Sequence, residues 1–331
     1  MTRAEGGRPH PAVAAVRLAV RAALADLDLA DRVLVACSGG ADSLALAEGA
    51  AHAAREDGRS VAAVVVDHRL QDGSAEVART AAETLRGLGI TEVEVVAVTV
   101  AERGEGPEAA ARTARYAALD DTADRLGASV VLLGHTRDDQ AEQVLLGLVR
   151  GSGARSLAGM PAARGRYRRP LLGVSREQTR AACTAEGIVF WDDPTNEDAA
   201  LTRVRARRAL ADLERDLGPG VAAALARTAD LLREDADHLD GQADDALAAL
   251  GAGPWDVDAL AALPRPVRTR VWRRLLVAAG APAGQLSGRH AEACDRLLTH
   301  WRGQGPVHVP GDLRVGRFDG RVHIGPAAPV E

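Results

Sequence analysis

Val33-Leu34-Val35-Ala36-Cys37-Ser38-Gly39-Gly40-Ala41-Asp42-Ser43-Leu44-Ala45-Leu46-Ala47 is the stretch that decides the fold. Five apolar residues read as a buried strand, the glycine pair as a tight turn, and the run from Ser43 as a helix. At such a corner the first amides of the helix have no helical carbonyl to bond, and the helix dipole adds positive potential there. The turn is therefore an anion site, and Gly39 and Gly40 permit the close backbone approach that a phosphate needs. Ser38 and Ser43 add hydroxyl donors, and Asp42 offers either a helix cap or a ligand for Mg2+. An ordinary strand-turn-helix corner would not need Ser-Gly-Gly-x-Asp-Ser.

The commoner phosphate loops are excluded. Walker A requires a Lys after its last glycine, and all 41 basic residues of this chain are Arg. The same absence removes any Lys nucleophile or Schiff base supplied by the protein. The Gly-x-Gly-x-x-Gly dinucleotide pattern is missing from this turn. What remains resembles the loop of the N-type ATP pyrophosphatases, which cleave ATP to AMP and pyrophosphate to adenylate a substrate. In that likeness Ser38, Gly39, Gly40, Ala41, Asp42 and Ser43 all face the nucleotide.

Outward from the loop, short apolar runs alternate with longer amphipathic ones. A helix over Ala12–Leu27 leads to strand Val33–Cys37, then come helix Ser43–Arg55, strand Val61–Val66, helix Ser74–Leu88 and strand Val93–Val98. Helix Pro107–Leu126 opens on a proline, strand Ser129–Leu133 follows, and helix Asp138–Val149 closes the series. Parallel strands with crossover helices give a doubly wound α/β sheet, with its site where the loops after the strands converge. The break Leu217-Gly218-Pro219-Gly220 separates a domain over 1–216 from a smaller helical one over 217–331. The latter holds helices Val221–Leu250, Asp256–Leu263, Pro266–Ala279 and Ser287–Thr299, then a hairpin turning at Asp319-Gly320. The first nine residues and the Pro-rich tail read as disordered.

Composition narrows the class. In 331 residues the net charge is −5, hydrophobic residues make up 47% and aromatics 2%, so a soluble core is built from Ala, Val and Leu. Three widely spaced cysteines, with no C-x-x-C, argue against zinc, iron–sulfur and disulfide frameworks. No stretch reaches membrane-spanning length and no leader pattern opens the chain, so a cytoplasmic protein without membrane contact is expected.

Chemistry-bearing residues recur at the strand ends. Asp67-His68 lies either where a nucleotide would sit or as a cap for the next helix, and both stay open. Gly134-His135-Thr136-Arg137-Asp138-Asp139-Gln140-Ala141-Glu142 places two acids in a first helical turn, with His135 one strand end from Asp42. Acids on adjacent loops facing a polyphosphate suit Mg2+, and His135 suits proton transfer. Arg112 and Arg115 share one helix face, either toward phosphates or toward solvent. Between Arg150 and Arg208 stand twelve arginines against six acids, a basic segment suited to a confined polyanion contact. Arg265, Arg268, Arg270, Arg273 and Arg274 form a second cluster.

Taken in order, Ser-Gly-Gly-x-Asp-Ser, Val-Asp-His, Arg-x-x-Arg-Tyr, Gly-His-x-x-Asp-Asp-Gln-Ala-Glu, Leu-x-Arg-Gly-Ser-Gly, Arg-Pro-Leu and Asp-x-Pro-Thr-Asn resemble the tRNA(Ile)-lysidine synthase family from about Val33 to Arg208. Arg69 departs from the Gly usual there, and a Pro usual after Arg208 is missing. The resemblance implies a ligase that uses ATP and Mg2+ to adenylate the wobble cytidine of a CAU-anticodon tRNA(Ile), after which free lysine attacks. It implies catalytic roles for Asp42, His135 and Asp139, with Mg2+ near Asp42, and AMP contacts from Arg112 and Arg115. Arg150, Arg169, Arg203, Arg205 and Arg207 would grip the tRNA, and a homodimer is left open. A tRNA thiolation ligase of the same superfamily is the alternative enzyme, disfavoured by the lack of paired cysteines; a non-catalytic nucleotide- or tRNA-binding module is the alternative class.

Overall fold

In chain order the elements are α1 (Pro11–Ala23), β1 (Arg32–Cys37), α2 (Ala41–Asp57), β2 (Val61–Asp67), α3 (Ser74–Gly87), β3 (Val93–Ala97), α4 (Pro107–Leu126), β4 (Ala128–Leu133) and α5 (Arg137–Val149). There follow α6 (Ala154–Leu157), β5 (Ala163–Arg164), β6 (Tyr167–Arg168), α7 (Arg176–Ala185), α8 (Thr202–Leu217) and α9 (Val221–Leu250). The chain closes with β7 (Trp255–Asp256), α10 (Val257–Ala262), α11 (Arg265–Ala278), α12 (Gly288–Thr299), β8 (Val307–Val309), β9 (Leu313–Phe318) and β10 (Arg321–Pro326). This computed structural model describes residues 8–69, 73–99, 107–151, 153–198 and 200–327. Of the two ends expected to be disordered, residues 1–7 and 328–331 lie outside the described residues, and residues 8–10 carry no regular structure.

The predicted doubly wound sheet is present, in the order β3-β2-β1-β4-β6-β5. All its pairings are parallel except β5 with β6, a two-residue hairpin at the edge that the sequence patterning did not reveal. Alternation within the strands feeds two cores. Val33, Val35, Ala63, Val65, Val130 and Leu132 join α1, α2, α3 and α7 on one face. Leu34, Ala62, Val64, Val131 and Leu133 meet Leu119 and Ala123 of α4 on the other. Strands buried on both faces are why each reads as a near-continuous apolar run. A glycine lets two helices approach closely: a Cβ on Gly49 of α2 would fall 2.9 Å from the Val20 side chain of α1. α1 stops at Ala23, short of the expected Leu27, where Arg168 donates to the Ala23 carbonyl and pairs with Asp26.

Strand order reverses between β1 and β4, so the loops entering α2 and α5 open into one crevice at the C-terminal ends of the strands. Everything below is built there.

The chain divides into two compact units, Met1–Leu232 and Arg233–Glu331. The expected break at Leu217–Gly220 falls between α8 and α9, with Gly218 and Gly220 both at positive φ. In the second unit α10, α11 and α12 pack with a four-stranded antiparallel sheet in the order β7-β10-β9-β8. The predicted hairpin is β9–β10, turning at Asp319 (φ 47°) and Gly320 (φ 72°). Two further strands flank it.

Candidate active site

The Ser38–Ser43 loop is held from within. Ser43 Oγ donates to the Gly40 carbonyl at 2.9 Å and accepts the Ser38 amide at 3.1 Å. Gly39 lies at φ 85°, in the left-handed region, and its carbonyl accepts the Trp191 amide at 3.0 Å. Thus Trp191, just before the Asp-x-Pro-Thr-Asn segment and distant in sequence, braces the loop. No side chain caps α2, so its first-turn amides point unpaired by helix carbonyls into the crevice. Gly134, at the end of β4, presses against the backbone of Asp42 and Ser43.

Four carboxylates meet beside this loop. Asp42 takes a hydrogen bond from Thr179 Oγ1 of α7. Asp139 accepts at Oδ2 from Thr136 N (2.7 Å) and Thr136 Oγ1 (3.0 Å), so it also serves the start of α5. Asp138 accepts the Arg176 amide at 2.8 Å, and Glu142 accepts Arg207 Nε at 2.9 Å. At their centre lies Arg176. Its Nη2 is 2.9 Å from Asp139 Oδ1 and 3.3 Å from Glu142 Oε1, and its Nε is 3.6 Å from Asp42 Oδ2. Burial pushes the Asp42 carboxyl up to about 6, the Thr179 and Arg176 contacts pull it down, and the Asp139 and Asp138 charges raise it. The site holds more negative charge than its own arginines neutralise.

On the other side of α5's start the charge reverses. Burial drives the His135 imidazole down to about 4; Asp139 opposes this, while Arg169, Arg115 and Arg203 add to it. His135 is therefore neutral at pH 7, and its buried Nδ1 has no hydrogen-bond partner among the described residues. Arg169 is only 6% exposed, its Nη1 donating to the Pro161 carbonyl at 2.9 Å and its Nη2 near the Tyr116 hydroxyl at 3.5 Å. Arg112 stacks on the Tyr116 ring at 4.9 Å, and Tyr167 meets that ring edge-on at the same distance. Arg112, Tyr116, Asp120, Arg164, Arg166, Tyr167 and Arg169 line a cavity of about 600 Å3. Rings and guanidinium groups around such a volume suit a nucleotide or an unstacked RNA base.

The sequence-predicted residues divide accordingly. Ser38, Gly39, Gly40, Ala41, Asp42, Ser43, His135 and Asp139 come together at the crevice, and Arg112 and Arg115 stand on α4 beside it. Arg150, Arg203 and Arg205 are exposed. Arg169 is buried, with its charge acting on His135, and Arg207 gives its Nε to Glu142. The second arginine cluster is also knitted into its own unit. Arg268 is buried on Asp295, and Arg270 and Arg274 pair with Asp240 and Asp244 of α9. Arg69 takes φ 52°, the conformation a glycine adopts without cost, with its amide on Asp67 Oδ1 at 2.9 Å. Leu70, Gln71, Asp72 and Ser152 lie outside the described residues. Arg176 and Thr179 were not foreseen; their signal would have been the Ser-x-x-Gln capping box that opens α7 at Ser175.

The residues fit Mg2+ in one way. Among the described residues no group of three or more His, Cys, Asp or Glu is arranged to hold a metal. Mg2+ characteristically takes one or two carboxylates and completes its shell with substrate phosphates and water. Asp42, acid-rich in its surroundings and at the head of the loop, suits that arrangement. The three cysteines are free and buried, and burial raises each thiol, Cys183 and Cys294 to about 12, which suits packing rather than sulfur chemistry.

Comparison with known proteins matches the PP-loop domain family over residues 15–214 and the TilS substrate binding domain over residues 256–323. The chain is 57% identical over 319 residues to tRNA(Ile)-lysidine synthase of Thermobifida fusca, covering 96% of this chain and 98% of that one. It is 51% identical to the same-named protein of Streptomyces coelicolor, over 96% and 99% of the two chains. In fold it is similar to a U34-tRNA thiolase of Methanococcus maripaludis with its [4Fe-4S] cluster, at 18% identity and a TM-score of 0.57, over 67% of this chain and 80% of that one. Among the described residues no helix is long and apolar enough to cross a membrane.

Proposed function

The chain belongs to the tRNA(Ile)-lysidine synthase family, PP-loop ATP-using ligases, and from that premise we propose that it joins lysine to the wobble cytidine of a CAU-anticodon tRNA(Ile) in two steps. In the first, the 2-keto oxygen of the cytidine attacks the α-phosphate of ATP, forming an adenylated tRNA and releasing pyrophosphate. In the second, the ε-amine of lysine attacks C2 of the activated base and AMP departs with the oxygen. The observation that carries this reading is the meeting of an uncapped phosphate loop with four carboxylates at one strand-end crevice, beside a neutral histidine.

The amides of Ser38–Ser43 and the hydroxyls of Ser38 and Ser43 would receive the departing pyrophosphate, where charge builds in the transition state. Asp42 would hold Mg2+ together with phosphate oxygens; when bound, the ion neutralises the leaving group. Asp139 and Glu142 attract the lysine ammonium, Asp139 takes its proton so that a free amine attacks, and the neutral His135 would orient that amine. Arg112 and Arg115 lie where they would steady AMP, and buried Arg169 adds positive charge to the same side. Arg150, Arg203 and Arg205 meet tRNA phosphates. A cytoplasmic location follows from a tRNA substrate.

The test incubates the protein with ATP, labelled lysine and CAU-anticodon tRNA(Ile). One AMP and one pyrophosphate per lysine incorporated is expected, and adenylated tRNA should build up when lysine is withheld. AMP release that does not depend on tRNA would overturn the proposed order.

A further inference from the structure

Arg176 has no role in the two steps above, yet it occupies the centre of the site. Its guanidinium reaches three carboxylates from two helices: Asp139 Oδ1 at 2.9 Å, Glu142 Oε1 at 3.3 Å and Asp42 Oδ2 at 3.6 Å. We propose that Arg176 is an internal competitor for the amine: in the free protein its guanidinium fills the place beside Asp139 and Glu142 that the lysine ε-ammonium takes, and lysine enters by displacing it. The proposal rests on the reading of the carboxylates as the amine's seat.

Three observations support displacement over a fixed tether. First, the acids are held without Arg176. Thr179 bonds Asp42, Thr136 supplies two donors to Asp139 Oδ2, and Arg207 bonds Glu142. Removing the guanidinium therefore leaves the cluster built. Second, the backbone of Arg176 is anchored separately, its amide on Asp138 at 2.8 Å at the first position of α7. The side chain can swing outward with α7 unmoved. Third, the Arg176 side chain is 23% exposed, level with Asp42 at 24% and Asp139 at 19% against 4% for Glu142, so the guanidinium reaches solvent and lies on the open side of Glu142. Exchange of one monovalent cation for another keeps the net charge of the pocket constant, which lowers the electrostatic cost of the swap.

The consequence is selectivity. A guanidinium held by three acids is not displaced by a lone hydrated monovalent ion. Lysine must add contacts elsewhere on its chain to win the exchange, and the acids stay neutralised until it does.

The experiment is calorimetric titration of the full-length protein with lysine, and separately with butylamine, in the presence of a non-hydrolysable ATP analogue. Wild type, Arg176→Gln and Arg176→Lys are compared, with thermal unfolding recorded for each. Arg176→Gln should bind lysine at least fivefold more tightly than wild type, and millimolar guanidinium chloride should return that affinity toward the wild-type value. Arg176→Lys, which keeps a cation but loses the forked grip, should fall between and serves if Arg176→Gln does not fold. Unchanged or weaker lysine binding by a folded variant overturns displacement and makes Arg176 a positioning residue. Butylamine separates this from the activity itself: tightened butylamine binding by Arg176→Gln upholds the exchange even where the tRNA product is not lysidine, and that result would refute only the reaction assignment.

Discussion

Gly134 and Ser43 lie so close that a methyl group on Gly134 would fall 3.1 Å from the Ser43 Cα and 3.2 Å from the Asp42 carbonyl. The end of β4 thus forms one wall of the phosphate loop, and the atoms it touches are backbone, which cannot rotate away. Gly134→Ala should push the loop from its place and cut ATP consumption at least tenfold, while far-ultraviolet circular dichroism stays as in wild type. Full turnover by Gly134→Ala would mean that the loop tolerates the shift and that its fit to β4 is not what shapes it.

Asp42 gives a pH signature. Its carboxyl is pushed up to about 6 against an ordinary 3.8, chiefly by burial. Between those values the folded chain binds more protons than the unfolded one, so stability falls as pH rises and the loss is complete above about 6. Without Mg2+, Asp42→Asn should therefore be more stable than wild type by roughly 1–3 kcal/mol at pH 7.5, with the difference vanishing toward pH 4. The same variant should lose ATP consumption, as should a folded Asp42→Ala. Chemical unfolding at the two pH values checks the first claim, and parallel curves for wild type and variant would refute it.

Much of this was legible because the strands and the loop obey local rules. Val33–Cys37 and Val61–Val66 are apolar on both faces, and the helices between them repeat every three to four residues, so the sheet follows from periodicity. Ser38–Ser43 carries its own geometry in its glycines. What stayed hidden depends on partners remote in sequence. The β5–β6 hairpin is too short for a pattern, and its place is fixed by β4 and by Arg168 reaching Asp26. Arg176 looks like any arginine opening a helix until α5 and α2 bring three acids to it. Arg169 and Arg268 look like surface charge until burial shows otherwise, because arginine hides its stem and a fixed fork in a packed site as readily as it covers a surface.

Asp139 does two jobs that a single substitution separates. Asp139→Asn keeps an oxygen for the Thr136 amide, so α5 should start as before, but it removes the charge facing the amine. Adenylation of tRNA, measured as pyrophosphate release without lysine, should remain within about threefold of wild type, with lysine transfer down by the 10²–10⁴-fold typical of a lost acid–base group. Equal loss in both half-reactions would instead assign Asp139 to the phosphate side.

In the second unit, Arg268 and Asp295 form a buried pair, with Trp272 Nε1 also on Asp295 at 3.3 Å. Arg268→Ala takes the countercharge from the buried Asp295, and breaking such a pair costs about 3–5 kcal/mol. The unit should unfold earlier in urea, and Arg268→Ala with Asp295→Ala should recover part of the loss. An unchanged urea midpoint in Arg268→Ala would mean that the pair with Asp295 does not hold the unit together.

The arginines that grip tRNA should be distinguishable by salt. Each phosphate neutralised releases counterions, so losing one contact reduces the slope of log K against log salt by roughly 0.7–0.9. Arg203 and Arg205 are exposed on one turn of α8, two residues apart, and Arg205 donates to the Ala200 carbonyl and the Thr202 hydroxyl beside the start of its own helix. Their joint replacement by Gln should lower tRNA affinity and reduce the slope by about 1.5, with ATP affinity unchanged. Arg207→Gln should behave differently, because its Nε holds Glu142: the slope should barely move while the lysine step slows. Arg270→Gln with Arg274→Gln should leave the slope alone, since Asp240 and Asp244 already neutralise them. A slope equal to wild type in the Arg203–Arg205 double variant would remove α8 from the tRNA path, and Arg150 at the end of α5 would be the next exposed arginine to replace.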